Sequence, residues 1–140
     1  MALTSWPRAF FEVPRGGART AAKKLAVSAT QALRAHYHSA EMNRLWPASL
    51  WFIIVGHNDG KVVVVIRAYK DNGVVVHVDA LHGWSLIALV MGSEQPITVE
   101  LRDVCVKIHS LLQTNCEAIG LRWYVKGASE SVATPVELPW

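Results

Sequence analysis

The sequence predicts an α+β fold, an antiparallel β-sheet packed by an N-terminal helix and a C-terminal helix. Three observations carry the prediction. Leu50–Val55 and Val62–Ile66 are unbroken apolar runs rich in β-branched and aromatic residues, the texture of strands buried on both faces. Turn residues follow each of them: Gly56-His-Asn-Asp-Gly60 after the first and Asp71-Asn-Gly73 after the second. Apolar residues recur at helical spacing on both flanks, at Ala21, Ala22, Leu25, Ala29 and Leu33 and again at Leu101, Val104, Ile108 and Leu112. At 140 residues, 51% of them hydrophobic, the chain suits one domain with a real core.

In chain order, residues 1–17 read as an N-terminal arm with a short strand centred on Ala9–Val13, closed by a turn at Gly16-Gly17. The first helix is expected over about 18–38; its apolar stripe is mostly alanine, which lets a neighbour pack close. Ser39–Leu45 reads as one or two further helical turns. Pro47 ends them and drives Trp46 out of the α region. The sheet is expected from about 50–56, 61–68, 74–79 and 84–91. The glycines of Gly56–Gly60 would supply the positive-φ positions of the first tight turn. The second helix spans about 99–117, with Thr98 as its N-cap and Gly120 as its stop. Leu121–Val125 suits a last strand. The single α+β domain then runs over 18–126, and 127–140 is a tail docked at most by Leu138 and Trp140.

The formal charge of +3 permits an acidic partner without demanding one. No apolar run approaches the ~18–20 residues of a membrane-spanning helix. Cys105 and Cys116, on one helix, would sit ~16 Å apart at ~1.5 Å per residue, too far for a disulfide. They read as structural thiols of a reducing compartment. The N-terminus is basic: Arg8, Arg15, Arg19, Lys23, Lys24 and Arg34 face only Glu12 in the first forty residues. That composition suits a mitochondrial presequence, but Phe10-Phe-Glu-Val13 and Pro14-Arg-Gly-Gly17 break the amphipathic helix such a signal needs. A basic arm leading into an ordinary helix is the plainer reading.

Catalytic chemistry is hard to find. There is no phosphate-binding glycine loop and no Gly-x-Ser-x-Gly elbow. His36 and His38, two apart, diverge on a helix, where a metal pair wants i, i+4. His57, Asp59, His77, Asp79 and His82 gather near strand ends, where a metal or hydrolytic site competes with ordinary turn residues. Asp103 and Glu117 have no partner at acid–base spacing. Trp46, Trp51 and Trp84 read as core or interface anchors rather than a ligand cage. Arg122-Trp-Tyr124 beside Lys126 has the basic–aromatic mix of a nucleic-acid-binding strand, against the plainer reading of an outer strand with one apolar face. No catalytic residue, metal or cofactor is expected, and the chain is read as a non-enzyme.

Trp51-x-x-Ile-Val-Gly-x-Asn-x-Gly60, with Ala29-Thr-Gln-Ala-Leu33 before it, resembles the small eight-kilodalton class of dynein light chains, as a divergent member. The similarity covers about Phe10–Ser93, with Trp51, Gly56, Asn58 and Gly60 as the motif; Pro96–Lys126 is extra. The resemblance implies a homodimer, or pairing with a related light chain, within a motor or axonemal complex of the cytoplasm and cytoskeleton. It also implies linear peptide clients, such as a dynein intermediate chain, that add as a further strand. By position, Lys61, Val62, Val63, Val64, Val65, Ile66 and Arg67 would form the strand that crosses to the partner and pairs with the peptide.

The residues favour the same strand independently. Val62–Ile66 has no polar face, high β-propensity and neither charge nor proline, so a soluble chain must bury it or pair it. It is therefore expected at an intermolecular edge, covered in part by a second molecule. No membrane partner is expected, and nucleic acid is disfavoured. The rival reading is a mitochondrial, ribosome- or RNA-associated small α+β protein, suggested by the basic N-terminus and Arg122–Lys126.

Overall fold

The computed structural model describes residues 7–45, 50–57, 60–81, 99–115, 118–124 and 130–138. In chain order these form β1 (Arg8–Glu12), α1 (Ala18–Arg34), β2 (Ser39–Leu45), β3 (Leu50–His57), β4 (Gly60–Tyr69), β5 (Gly73–Leu81), α2 (Val99–Asn115), β6 (Ile119–Tyr124) and a 3₁₀ turn (Pro135–Glu137). The six strands make one sheet in the order β2-β3-β4-β5-β1-β6, every pair antiparallel. This is the α+β architecture the sequence predicts, with both helices on one face of the sheet.

Alternation sorts each strand between two faces. Trp51, Ile53 and Val55 of β3, Val62, Val64 and Ile66 of β4, and Val74, Val76 and Val78 of β5 join one core with Leu25, Ala29 and Leu33 of α1 and Leu101, Ile108 and Leu112 of α2. Phe11 and Trp123 extend that core into β1 and β6. Full burial of such a side chain stabilises by about 1.5–3 kcal/mol. The alanine stripe of α1 lies in the same core, as a closely packed helix requires.

Several expectations change. Ser39–Leu45 is a strand rather than a helix stub, paired along its whole length with β3 from Ser39↔Gly56 to Leu45↔Leu50. Its residues are fair helix formers, and seven rungs of pairing with an apolar neighbour override that weak preference. The N-terminal arm is an interior strand: β1 lies between β5 and β6, and Val78 N–H reaches back to the Pro7 carbonyl at 3.0 Å. Cleavage of a presequence near residue 20 would remove that strand. The tail is also engaged, since Val132 bridges Trp123 and Leu138 is buried.

The glycines act differently from expectation too. Gly16 does take a positive φ, 79°, in the turn before α1. Gly56 does not: it lies within β3, where a Cβ would come 2.5 Å from Ser39 Oγ, so its role is the close approach of β2. In the β4–β5 turn Lys70 takes the left-handed conformation, while a Cβ on Gly73 would meet the Tyr69 carbonyl oxygen at 2.7 Å. The strand expected at 84–91, Trp46, Pro47, Asn58, Asp59, His82, Trp84, Thr98, Cys116, Glu117, Val125, Lys126 and Trp140 lie outside the described residues.

Candidate binding edges and face

The strand expected at an intermolecular edge is interior. Lys61–Arg67 pairs with β3 on one side, from Leu50↔Arg67 to Gly56↔Lys61, and with β5 on the other, from Lys61↔Leu81 to Arg67↔Val75. Both hydrogen-bonding edges are occupied, so no partner strand can add to β4. Val62, Val63, Val64 and Ile66 are each 0% exposed within the single chain. Val63 lies on the face away from the helices and is buried within the single chain, without a second molecule. The missing polar face therefore marks the middle of a sheet rather than an edge. Of the motif residues, Trp51 is buried with the Arg44 guanidinium 5.7 Å from its ring centroid, Gly56 lies in β3, and Gly60 opens β4 opposite His57.

Among the described strands the two edges are β2 and β6. The outer side of β6 is partly closed by the chain itself: Trp123 N–H donates to the Val132 carbonyl at 2.8 Å and Val132 N–H returns to the Trp123 carbonyl at 3.0 Å. Glu137 accepts from Thr134 N–H at 3.0 Å and fixes the 3₁₀ turn that follows. Beneath, Trp123 Nε1–H donates to His109 Nδ1 at 2.9 Å, tying β6 to α2. The acceptor role of Nδ1 places the neutral ring's proton on Nε2, which is buried without a partner among the described residues. Burial lowers the His109 pKa. His109 was not singled out from the sequence, although it falls four residues after Cys105 on the buried stripe of α2.

β2 differs. Among the described residues nothing pairs with its outer side. Glu41, Met42, Asn43 and Arg44 are all exposed. Met42 is 38% exposed although it lies on the helix side, opposite Ile53.

The face away from the helices carries a second feature. Arg8 lies directly opposite Tyr124, and Phe10 directly opposite Arg122, on neighbouring strands. The Arg122 guanidinium stands 4.6 Å from the Phe10 ring centroid, and that of Arg8 stands 5.4 Å from the Tyr124 ring centroid. Arg122 Nε donates to Tyr124 Oη at 2.6 Å and its Nη1 to the Gly120 carbonyl at 2.9 Å. The signal at Arg122 and Tyr124 was visible in the sequence; the half contributed by Arg8 and Phe10 was not.

The remaining candidates are dispersed. His36 and His38 are exposed beyond the end of α1. Cys105 is buried, and burial raises its thiol pKa. His77 and Asp79, two apart on β5, share the face away from the helices, while His57 ends β3. Among the described residues no group of three His, Cys, Asp or Glu side chains could hold a metal ion. Asp103 joins the helices: Tyr37 donates to its Oδ2, and Lys107 donates to the same oxygen at 2.8 Å. Burial and the Asp103 carboxylate push the Tyr37 pKa up, so this phenol is a poor base. Burial opposes ionisation of Asp103, but the bonds from Lys107 and Tyr37 outweigh it and hold its carboxyl below the usual range. This cluster ties the segment just after α1 to α2. Compared with protein-family models, curated proteins and solved structures, the chain matches none.

Proposed function

We propose that the chain is a non-catalytic binding and assembly module that takes a partner strand along the outer side of β2. The observation that supports this reading is the asymmetry of the sheet: β6 is bridged by the chain's own Val132, whereas among the described residues nothing pairs with the outer side of the seven-residue β2. An open edge offers main-chain donors and acceptors that a second strand can satisfy, with specificity from alternate side chains. Glu41 and Arg44 cancel in charge, so like-charge repulsion does not bar a second copy. The first occupant is such a copy, joined edge to edge in a homodimer; linear peptides of other proteins compete for the same edge.

The light-chain resemblance adds a setting, a motor or axonemal complex with a dynein intermediate chain among the clients. Strand addition at β2 does not depend on that setting. The family's peptide-pairing position, Lys61–Arg67, is interior here, so the reading transfers the mode of binding and moves its place.

Sedimentation equilibrium tests the reading. Wild type should dimerise with rising concentration, and Met42→Lys should give folded monomer, because an added edge charge opposes pairing. A wild type that stays monomeric at high concentration, or a dimer indifferent to Met42→Lys, would contradict it.

A further inference from the structure

We propose that the sheet face opposite the helices, at its β4-β5-β1-β6 end, is a docking platform for single-stranded nucleic acid. The register places two adjacent rows of side chains there. One row is Val65–His77–Arg8–Tyr124 and the next is Arg67–Val75–Phe10–Arg122. Together they hold three arginines, two aromatic rings and no acid. The acids of this face lie outside these two rows: exposed Glu12 two residues along β1 from Phe10, Glu41 at the far margin, and Asp79 buried beside Val63. Among the described residues Arg8, Arg67 and Arg122 make no ion pair. Among the described residues, positive charge is therefore concentrated in these rows without a paired counter-charge.

The cations are also pre-oriented. Arg122 is pinned by the Phe10 ring, the Tyr124 hydroxyl and the Gly120 carbonyl, which leaves its Nη2 donors for an anion. Arg8 rests over Tyr124. A third ring–cation pair, Lys70 5.3 Å from the half-exposed Tyr69 ring, stands at the end of β4. Guanidinium planes and aromatic rings both stack on bases, and the remaining donors take phosphates. An acidic peptide would satisfy the charges but leave the ring–guanidinium stacks without a role. This face is distinct from the outer side of β2, so the proposal does not rest on strand addition there.

The test is fluorescence anisotropy of a labelled oligouridylate of about twelve nucleotides, a length within known single-strand site sizes, titrated with the full chain. Binding should weaken with salt with a log–log slope of roughly −2, from three phosphate contacts. Arg67→Gln, at an exposed position, should weaken binding and reduce that slope by roughly 0.7. Tyr124→Leu should weaken it at least about fivefold through lost stacking. Lys23→Glu, exposed on α1, should leave it unchanged. No binding at low salt would overturn the proposal. So would an Arg67→Gln variant that binds like wild type, or polyphosphate or polyglutamate displacing the probe as effectively as unlabelled oligouridylate.

Discussion

β4 and β2 lie two strands apart in the same sheet and invite opposite misreadings. β4 is all apolar from Val62 to Ile66 and reads as a surface in need of a partner, yet it is enclosed by β3 and β5. β2 mixes Glu41, Asn43 and Arg44 with Ala40, Met42 and Leu45, reads as a helix stub, and is the strand whose outer side is unpaired among the described residues. An edge must stay soluble with unpaired backbone groups, so it carries charge. An interior strand has both hydrogen-bonding edges paired, so an apolar run such as Val62–Ile66 can dispense with charge.

The sharpest way to break this contrast is Val64→Pro. At an edge it would only dissociate a complex; in β4 it removes a ladder donor from a fully enclosed strand and should unfold the chain. The unsatisfied ladder partner alone should cost about 1–3 kcal/mol, with the ring's misfit adding to it, read as collapse of the far-UV circular dichroism signal. Val64→Lys should do the same by burying an unpaired charge. A folded, soluble Val64→Lys monomer would return β4 to the edge.

A smaller effect is expected where α2 holds β6. His109→Ala leaves the buried Trp123 N–H without its acceptor and should cost about 1–3 kcal/mol in urea unfolding, with cavity formation adding to it. The same bond predicts a pH dependence. The folded-state pKa of His109 lies below its unfolded value, so its contribution is present above pH ~6.5 and is lost as pH falls from there towards the folded pKa. In His109→Asn, which has no titrating ring, the slope of stability against pH just below ~6.5 should flatten. An unchanged slope would show that another group titrates there.

The smallest effect belongs to the open edge. Met42→Lys should change monomer stability by no more than about 0.5 kcal/mol, because the site is exposed and its outer side unpaired. A larger loss in the monomer would mean that β2 is held by contacts beyond its pairing with β3.

Much of the architecture was legible in the sequence. The apolar runs located β3, β4 and β5, the Asn-Gly signal located the β4–β5 turn, and helical spacing located α1 and α2 to within a few residues. β2 was missed because Ala40, Glu41, Met42 and Leu45 are individually good helix formers, and only its pairing with β3 decides otherwise. The candidate surfaces were harder to read for a related reason. Arg122 and Tyr124 carried a visible signal, but the arrangement is completed by Arg8 and Phe10 from the other end of the chain. Sequence spacing carries no trace of a contact between a first strand and a last one. The His109–Trp123 bond was hidden because a histidine on an apolar stripe looks like any other core residue until its neighbour across the sheet is known.

The central claim, that β2 is the pairing edge and β4 is interior, is tested most directly by residue-resolved amide hydrogen exchange at low and high protein concentration. The account predicts that alternate β2 amides between Ala40 and Arg44 exchange quickly in dilute solution and gain protection as copies associate, because only every second N–H points outward. Amides of Val62–Ile66 should exchange only through global unfolding at both concentrations. The account is contradicted if the β2 amides exchange equally fast at every concentration while Val62–Ile66 gains protection on association.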